Sequence, residues 1–130
     1  MKILLDTQAW LWMQVSPGRF SKTALDIIKD PANELLFSAA SAWEIAIKYA
    51  LGALSLPAPP AEYVPTRMES SGVIGLPVLH IHALQVATFP HHHRDPFDRL
   101  LVAQSQIEGL PIMTSDPQLA PYGIEIIPAA

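Results

Sequence analysis

The run Ile3-Leu4-Leu5, closed at once by Asp6, constrains this chain more than any other stretch. Three consecutive branched apolar residues suit a strand covered on both faces, as in a parallel sheet flanked by helices. A strand with one wet face would alternate apolar and polar residues instead. We therefore read Lys2 to Thr7 as a buried first strand with Asp6 at its carboxyl end. Open α/β sheets place their ligand sites just beyond the carboxyl ends of strands.

The rest of the chain alternates between helical and extended patterns. Gln8 to Met13 is a short apolar helix. Ser21 caps a second helix over Lys22–Lys29, whose stripe is Ala24, Leu25, Ile27 and Ile28. Glu34 to Phe37 is a second strand. Ser38 to Leu51 is a third helix, closed by Gly52. A fourth spans Ala61 to Ser70, with Pro65 either opening or kinking it. Val73 to Val78, broken by Gly75 and Pro77, reads as an edge strand. His80 to Ala87 is helical. Asp95-Pro96 starts the best-defined helix, which runs to Glu108 and stops at Gly109. Pro111 to Thr114 and Ile124 to Ile127 complete the strands, with a short turn opened by Ser115-Asp116-Pro117. This alternation predicts an α/β fold with a mainly parallel sheet and helices on both faces.

At 130 residues, half of them apolar, the chain is read as one domain, residues 1–130, with a full core. No apolar run approaches the ~20 residues that span a bilayer. The start has no signal-peptide layout, so a cytoplasmic protein without membrane contact is expected. The absence of cysteine excludes disulfides and thiolate metal sites. Twelve acidic residues against eight basic give a net charge of −4, which is no basic nucleic-acid footprint. A nucleic-acid partner would need a local patch, a metal or a second subunit.

Parallel strands share one carboxyl edge, and the helices between them run back. Asp6 ends the first strand at that edge, and Asp116 follows the strand Ile112-Met113-Thr114. Asp98 lies in the first turn of the helix preceding that strand, and Glu44 lies early in the helix after Glu34-Phe37. All four therefore reach one cleft. Each also has an ordinary reading as a cap or dipole partner. Ser41-Ala42-Trp43-Glu44 fits a capping box, and Glu44 can pair with Lys48 one turn on. Together, like charges at close range repel and take up protons unless a cation relieves them. Oxygen donors without His or Cys suit Mg²⁺ or Mn²⁺ rather than Zn²⁺. Such ions hold a phosphate and activate a water.

Thr7, Thr114 and Ser115 are hydroxyls beside the acidic positions. They can orient a water or a phosphate, or simply cap turns. Arg94, Arg99 and Lys48 flank the cleft and can meet phosphates or pair with carboxylates. His91-His92-His93 reads as a solvated loop, since three adjacent side chains cannot all face one ion. Trp10, Trp12 and Trp43 read as core or dimer contacts.

Four segments carry a resemblance. They are Leu4-Leu5-Asp6-Thr7, Ser41 to Lys48 (SAWEIAIK), His93 to Gln104 (HRDPFDRLLVAQ), and Leu110 to Asp116 (LPIMTSD). In this order they resemble the PIN domain, and more narrowly the VapC-type toxins of type II toxin–antitoxin pairs. The resemblance implies a three-layer α/β/α fold with a five-stranded sheet of order 3-2-1-4-5. It implies a Mg²⁺- or Mn²⁺-dependent endoribonuclease with Asp6, Glu44, Asp98 and Asp116 as its acidic quartet. In that reading Asp6, Asp98 and Asp116 hold the metal, Glu44 ligates it or positions the water, and Asp95 stays outside as a cap. It also implies an RNA substrate, a homodimer, and a cognate antitoxin whose tail covers the cleft. Two departures from the family pattern are Gln8, where His is frequent, and Ala53, where Lys is common.

Two other classes share parts of this pattern. A receiver-like signalling domain also has an acidic Mg²⁺ pocket, but it needs an Asp at the end of a middle strand. Here the second strand ends Leu36-Phe37-Ser38. A non-catalytic interaction module would keep the fold without needing all four acids.

Overall fold

The structure, a computed structural model of the chain, describes residues 1–91 and 94–130. Five strands form one parallel sheet in the order β3-β2-β1-β4-β5. They are β1 (Lys2–Leu5), β2 (Glu34–Ser38), β3 (Ile74–Leu76), β4 (Ile112–Thr114) and β5 (Ile126–Pro128). The middle strand is β1, in register with Leu36 and Phe37 on one side and Ile112 and Met113 on the other. Its Ile3, Leu4 and Leu5 are completely buried, as an uninterrupted apolar run requires.

Alternation along β1 sends side chains into two separate cores. Ile3 and Leu5 join Trp10, Phe37 and Ile45 on one face, with α1 (Thr7–Val15), α2 (Lys22–Lys29), α3 (Ala39–Ala50) and α4 (Pro60–Ser71). Trp10 anchors that layer, stacked on Phe37 at 4.5 Å and edge-on to Tyr63 at 6.2 Å. Leu4 joins Leu101, Val102, Ile112 and Leu119 on the other face, beneath α6 (Pro96–Glu108). The short helix α5 (His80–Gln85) lies against α6. Its fully buried His82 accepts the Leu79 N–H at Nδ1, and its Nε2 lies 2.8 Å from Glu108 Oε1, tying the two helices. No helix among the described residues is long and apolar enough to cross a membrane.

Several boundaries differ from the sequence reading. Thr7 opens α1 rather than ending β1, because Asp6 already caps that helix. The cap of α3 is Ser38, whose hydroxyl accepts from Ala40 N–H at 3.0 Å, so the capping box starting at Ser41 does not form. Ser41 and Glu44 are both buried within the helix. Finally, β5 begins two residues later than expected, because Ile126 pairs with Ile112 and Thr114 with Pro128. Gly123, at φ 73°, closes the preceding turn, and the Glu125 carbonyl then accepts from Ile112 N–H. Of the two readings of Pro65, opening α4 fails, since the helix starts at Pro60 and carries Pro65 inside.

Candidate active site

The transition from β1 to α1 fixes Asp6. Its Oδ1 accepts from Ala9 N–H at 2.7 Å, capping α1, and its Oδ2 accepts from Thr114 Oγ1 at 2.5 Å. The same Thr114 oxygen accepts from Asp116 N–H at 3.0 Å. One hydroxyl thus couples the ends of β1 and β4. Asp116 in turn caps the 3-10 turn Pro117–Tyr122 through Gln118 N–H.

On α6, Asp95 Oδ1 accepts from Phe97 N–H at 2.9 Å and from Asp98 N–H at 3.3 Å. Asp98 follows in the first turn. On α3, Glu44 sits in the second turn and is buried. Its Oε1 lies 2.7 Å from Thr7 Oγ1, which is also 2.8 Å from Ser41 Oγ. Its Oε2 lies 2.5 Å from Lys48 Nζ.

Asp6, Glu44, Asp98 and Asp116 line one cavity of about 410 Å³, with Asp95, Thr7, Ser115 and Lys48 also in its wall. The convergence inferred from strand and helix direction is therefore present. Burial pushes the Asp6 carboxyl above its ordinary range. The hydrogen bonds from Thr114 and Ala9 pull the other way, and the charges of Asp116 and Glu44 add to the rise. The Glu44 carboxylate, hydrogen-bonded to Lys48, holds that ammonium above the usual lysine range.

Donor chemistry and spacing bear differently on a metal. The cavity offers carboxylate and hydroxyl oxygens, which suit a hard divalent ion. Among the described residues, however, no three of His, Asp or Glu close into a ready-made metal-binding group. Mg²⁺ commonly keeps several waters and takes only one or two carboxylates, so an open, hydrated set fits it better than Zn²⁺.

A PIN-domain family model matches residues 3–124, nearly the whole chain. The chain belongs to the PIN-domain family. It is similar to Ribonuclease VapC16 of Mycobacterium tuberculosis (strain ATCC 25618 / H37Rv), with 55% identity over 73 residues. That match covers 51% of this chain, and the chain spans about half (52%) of that relative's length. Among solved structures, the crystal structure of FitAcB from Neisseria gonorrhoeae aligns with a TM-score of 0.61 at 18% identity, over 99% of this chain and 98% of that one. The structure of FitAB bound to an IR36 DNA fragment aligns with a TM-score of 0.64 at 19% identity, over 98% and 94%. At such identities these two likenesses concern the fold alone.

Several site readings of this PIN domain need adjustment. Arg99 is buried, and its guanidinium donates to the Pro90 and Val86 carbonyls beside the Phe89 ring. That is a structural role, and a phosphate contact by Arg99 does not fit it. Arg94 is exposed, immediately before the Asp95 cap. Trp43, by contrast with buried Trp10 and Trp12, is 58% exposed and lies edge-on to Phe97. His91 is exposed, while His92 and His93 lie outside the described residues. Gln8 and Ala53, the two departures from the family pattern, both line the cavity. Sequence reasoning read Ser41 only as a cap and Asp95 only as a cap outside the site, and so missed the Ser41 contact with Thr7 and the place of Asp95 in the cavity wall. Ser41 follows Thr7 across two helices, which no spacing rule reveals.

Proposed function

We propose that this PIN domain is a metal-dependent endoribonuclease that hydrolyses RNA phosphodiester bonds, acting as the VapC-type toxin of a type II toxin–antitoxin pair. The observation that carries the reading is the gathering of Asp6, Glu44, Asp98 and Asp116 into one cavity. The four come from different parts of the chain although the arrangement places like charges together, and burial raises the pKa of Asp6 there. The likeness to a protein named a ribonuclease supports the same chemistry.

Asp6, Asp98 and Asp116 are the residues assigned to hold Mg²⁺ or Mn²⁺. A divalent ion in such a site lowers the pKa of a bound water and stabilises charge on phosphate oxygens. The chain's own residues do the rest. Thr114 keeps Asp6 oriented and joins it to the Asp116 loop. Thr7 holds Glu44, and Ser115 is an exposed hydroxyl at the cavity wall. Arg94 is assigned to the phosphate backbone at the mouth. The exposed apolar side chains Ile81, Leu84 and Trp43 provide surface for a second copy or for the antitoxin. Such a toxin acts on RNA in the cytoplasm. The receiver-like alternative loses its basis, because β2 ends in buried Ser38 and not in an aspartate.

The test is cleavage of a labelled single-stranded RNA in Mg²⁺ or Mn²⁺. Wild-type protein should cut, EDTA should stop it, and Asp6→Asn should be inactive while still folded. An Asp6→Asn protein that cuts without added metal would sink the reading.

A further inference from the structure

Two smaller hollows, of about 220 and 210 Å³, open off the acidic cavity. The first shares Ser115 and Asp116 with it and has no Lys or Arg among its described lining residues. The second shares Gln8, Leu11 and Leu54 with it and carries Arg19. Its volume is below the ~300–1,000 Å³ of separate ligand pockets, so the second hollow is an extension of the cavity beside it.

Local sequence builds this extension. Gln8, Leu11, Trp12 and Val15 stand three and four residues apart, so they form one face of α1. That face begins just past the Asp6 cap and runs for about 10 Å, at about 1.5 Å per residue. Leu54 lines both spaces, and the Ala53 and Leu54 N–H groups donate to the Lys48 carbonyl at 2.9 and 3.2 Å, which fixes that segment at the end of α3. At the far end of α1, the turn Ser16-Pro17-Gly18-Arg19 closes through Arg19 N–H to the Ser16 carbonyl at 3.0 Å. The turn brings Arg19 back over the Trp12 ring, 4.9 Å from its centroid, and Phe20 braces the same ring edge-on at 5.4 Å.

We propose, resting on the nuclease reading above, that an RNA strand leaving the acidic cavity runs along this face of α1, and that Arg19 binds a phosphate flanking the one that is cut.

Three observations carry the assignment. First, Arg19 is exposed, and its guanidinium makes no hydrogen bond or ion pair with any described residue. Other cations are engaged: Arg67 by Gln14, Arg99 by the Val86 and Pro90 carbonyls, Lys48 by Glu44 and Lys2 by Glu34. Second, a guanidinium held over an aromatic ring keeps its donors for a phosphate, which it can meet through two parallel bonds. The ring also restrains the long side chain beforehand, so less freedom is lost on binding. Third, five carboxylates line the acidic cavity, Asp6, Glu44, Asp95, Asp98 and Asp116, and they repel an RNA backbone. A metal among them relieves the phosphate being cut. The next phosphate along needs a cation set back from the acids, and of the two hollows only this one supplies it.

The test is fluorescence anisotropy of a labelled single-stranded 12-nucleotide RNA in Ca²⁺, with its integrity checked on a denaturing gel. Arg19→Gln should weaken binding about 3- to 10-fold and lower the slope of log K against log salt by about 0.7, the amount expected for one lost phosphate contact on a single strand. Arg19→Lys, which keeps the charge, should restore the slope. Lys29→Gln makes the same charge change in the last turn of α2, lining neither hollow, and should bind within about twofold of wild type. A single neutral methylphosphonate, walked along the RNA, locates the contact. At a linkage beside the one cut in Mn²⁺ it should weaken wild-type binding and weaken Arg19→Gln no further. Arg19→Met, which keeps an unbranched stem over Trp12, replaces Arg19→Gln if that variant melts early.

Unchanged binding and salt slope in folded Arg19→Gln, an equal loss in Lys29→Gln, or the lack of any coupled linkage would overturn the proposal, while Asp6-dependent cleavage would leave the nuclease reading standing. Arg19-dependent binding of a hexaglutamate peptide, with RNA binding indifferent to Arg19, would give the hollow to an acidic protein segment and overturn it as well. If wild type neither binds nor cuts RNA, the nuclease reading falls and this assignment falls with it.

Discussion

At the amino end of α1 one carboxylate does two things, and at the amino end of α6 two carboxylates share them. Asp6 caps α1 with one oxygen and faces the cavity, 6% exposed, with its second oxygen bonded by Thr114. On α6, Asp95 does the capping and Asp98, one turn in, is the proposed ligand. Both caps line the cavity, so position alone does not separate a structural acid from a chemical one. Burial and partners do. A cap needs one accepting oxygen and tolerates Asn. A buried carboxylate held in a group of like charges is destabilising by itself, and it persists where something else requires it.

The largest expected effect breaks the double role of Asp6. Asp6→Asn keeps an accepting oxygen for Ala9 N–H, and its amide can donate to Thr114 Oγ1. The fold should survive, while cleavage falls by about 10³-fold, as loss of several kcal/mol of metal-borne charge stabilisation implies. Asp6→Ala should be equally inactive and also less stable by about 1–2 kcal/mol, having lost the cap and left the Thr114 hydroxyl without its acceptor. Denaturant titration beside a cleavage assay separates the two variants. Equal stability of both would show that Asp6 is not the cap it looks to be.

The next effect is in pH dependence. The folded-state pKa of Asp6 is raised, chiefly by burial, so the folded chain binds its proton more tightly than the unfolded chain does. Stability is then unpenalised below the ordinary carboxylate range and declines as pH rises through the raised value. In EDTA, wild-type protein should lose stability relative to Asp6→Asn as pH rises above the ordinary carboxylate range of about 4, the direction set by an upward carboxylate shift. Saturating Mg²⁺ should flatten that difference, because it favours the ionised form. Parallel melts in EDTA and in Mg²⁺ read both. A wild type that gains stability over Asp6→Asn as pH rises in EDTA would contradict the burial of a strained charge.

Much of this arrangement was legible because it is written in local signals and in chain direction. Ser21 before Lys22–Lys29, Asp95-Pro96, and Gly109 are cap signals whose physics involves a few adjacent residues, and those boundaries hold. The shared edge of Asp6, Glu44, Asp98 and Asp116 follows from parallel strands and returning helices, which fix where ends lie without fixing side chains. What failed depended on side-chain direction or on register. Ser41 had the spacing of a cap, but β2 continues to Ser38, and the helix had already started. Arg99 stood beside the acids in sequence, yet one residue along a helix is a turn of about 100°, enough to send it into the carbonyls of Val86 and Pro90. The late start of β5 reflects a pairing with β4 that is set by the turn closed at Gly123. The bond from Thr7 to Glu44 joins residues 37 apart through two helix rotations, which no periodicity encodes.

The smallest expected effect asks whether α6 truly divides its labour. Asp95→Asn should retain the bonds to Phe97 N–H and Asp98 N–H, because Asn caps helices about as well as Asp. Stability should change by no more than about 0.5 kcal/mol, and cleavage should stay within a few-fold of wild type. Asp98→Asn should do the reverse, sparing stability and lowering cleavage by about 10²-fold, as removal of one charged ligand implies. The pair is informative because both residues lie in the same cavity wall and carry the same charge. If simple negative potential drew the metal, the two substitutions would weaken Mn²⁺ binding alike. An unequal response assigns the work to Asp98 and leaves Asp95 holding the helix that presents it. Equal losses would mean that α6 contributes its charge collectively, and the contrast with Asp6 would then be one of burial alone.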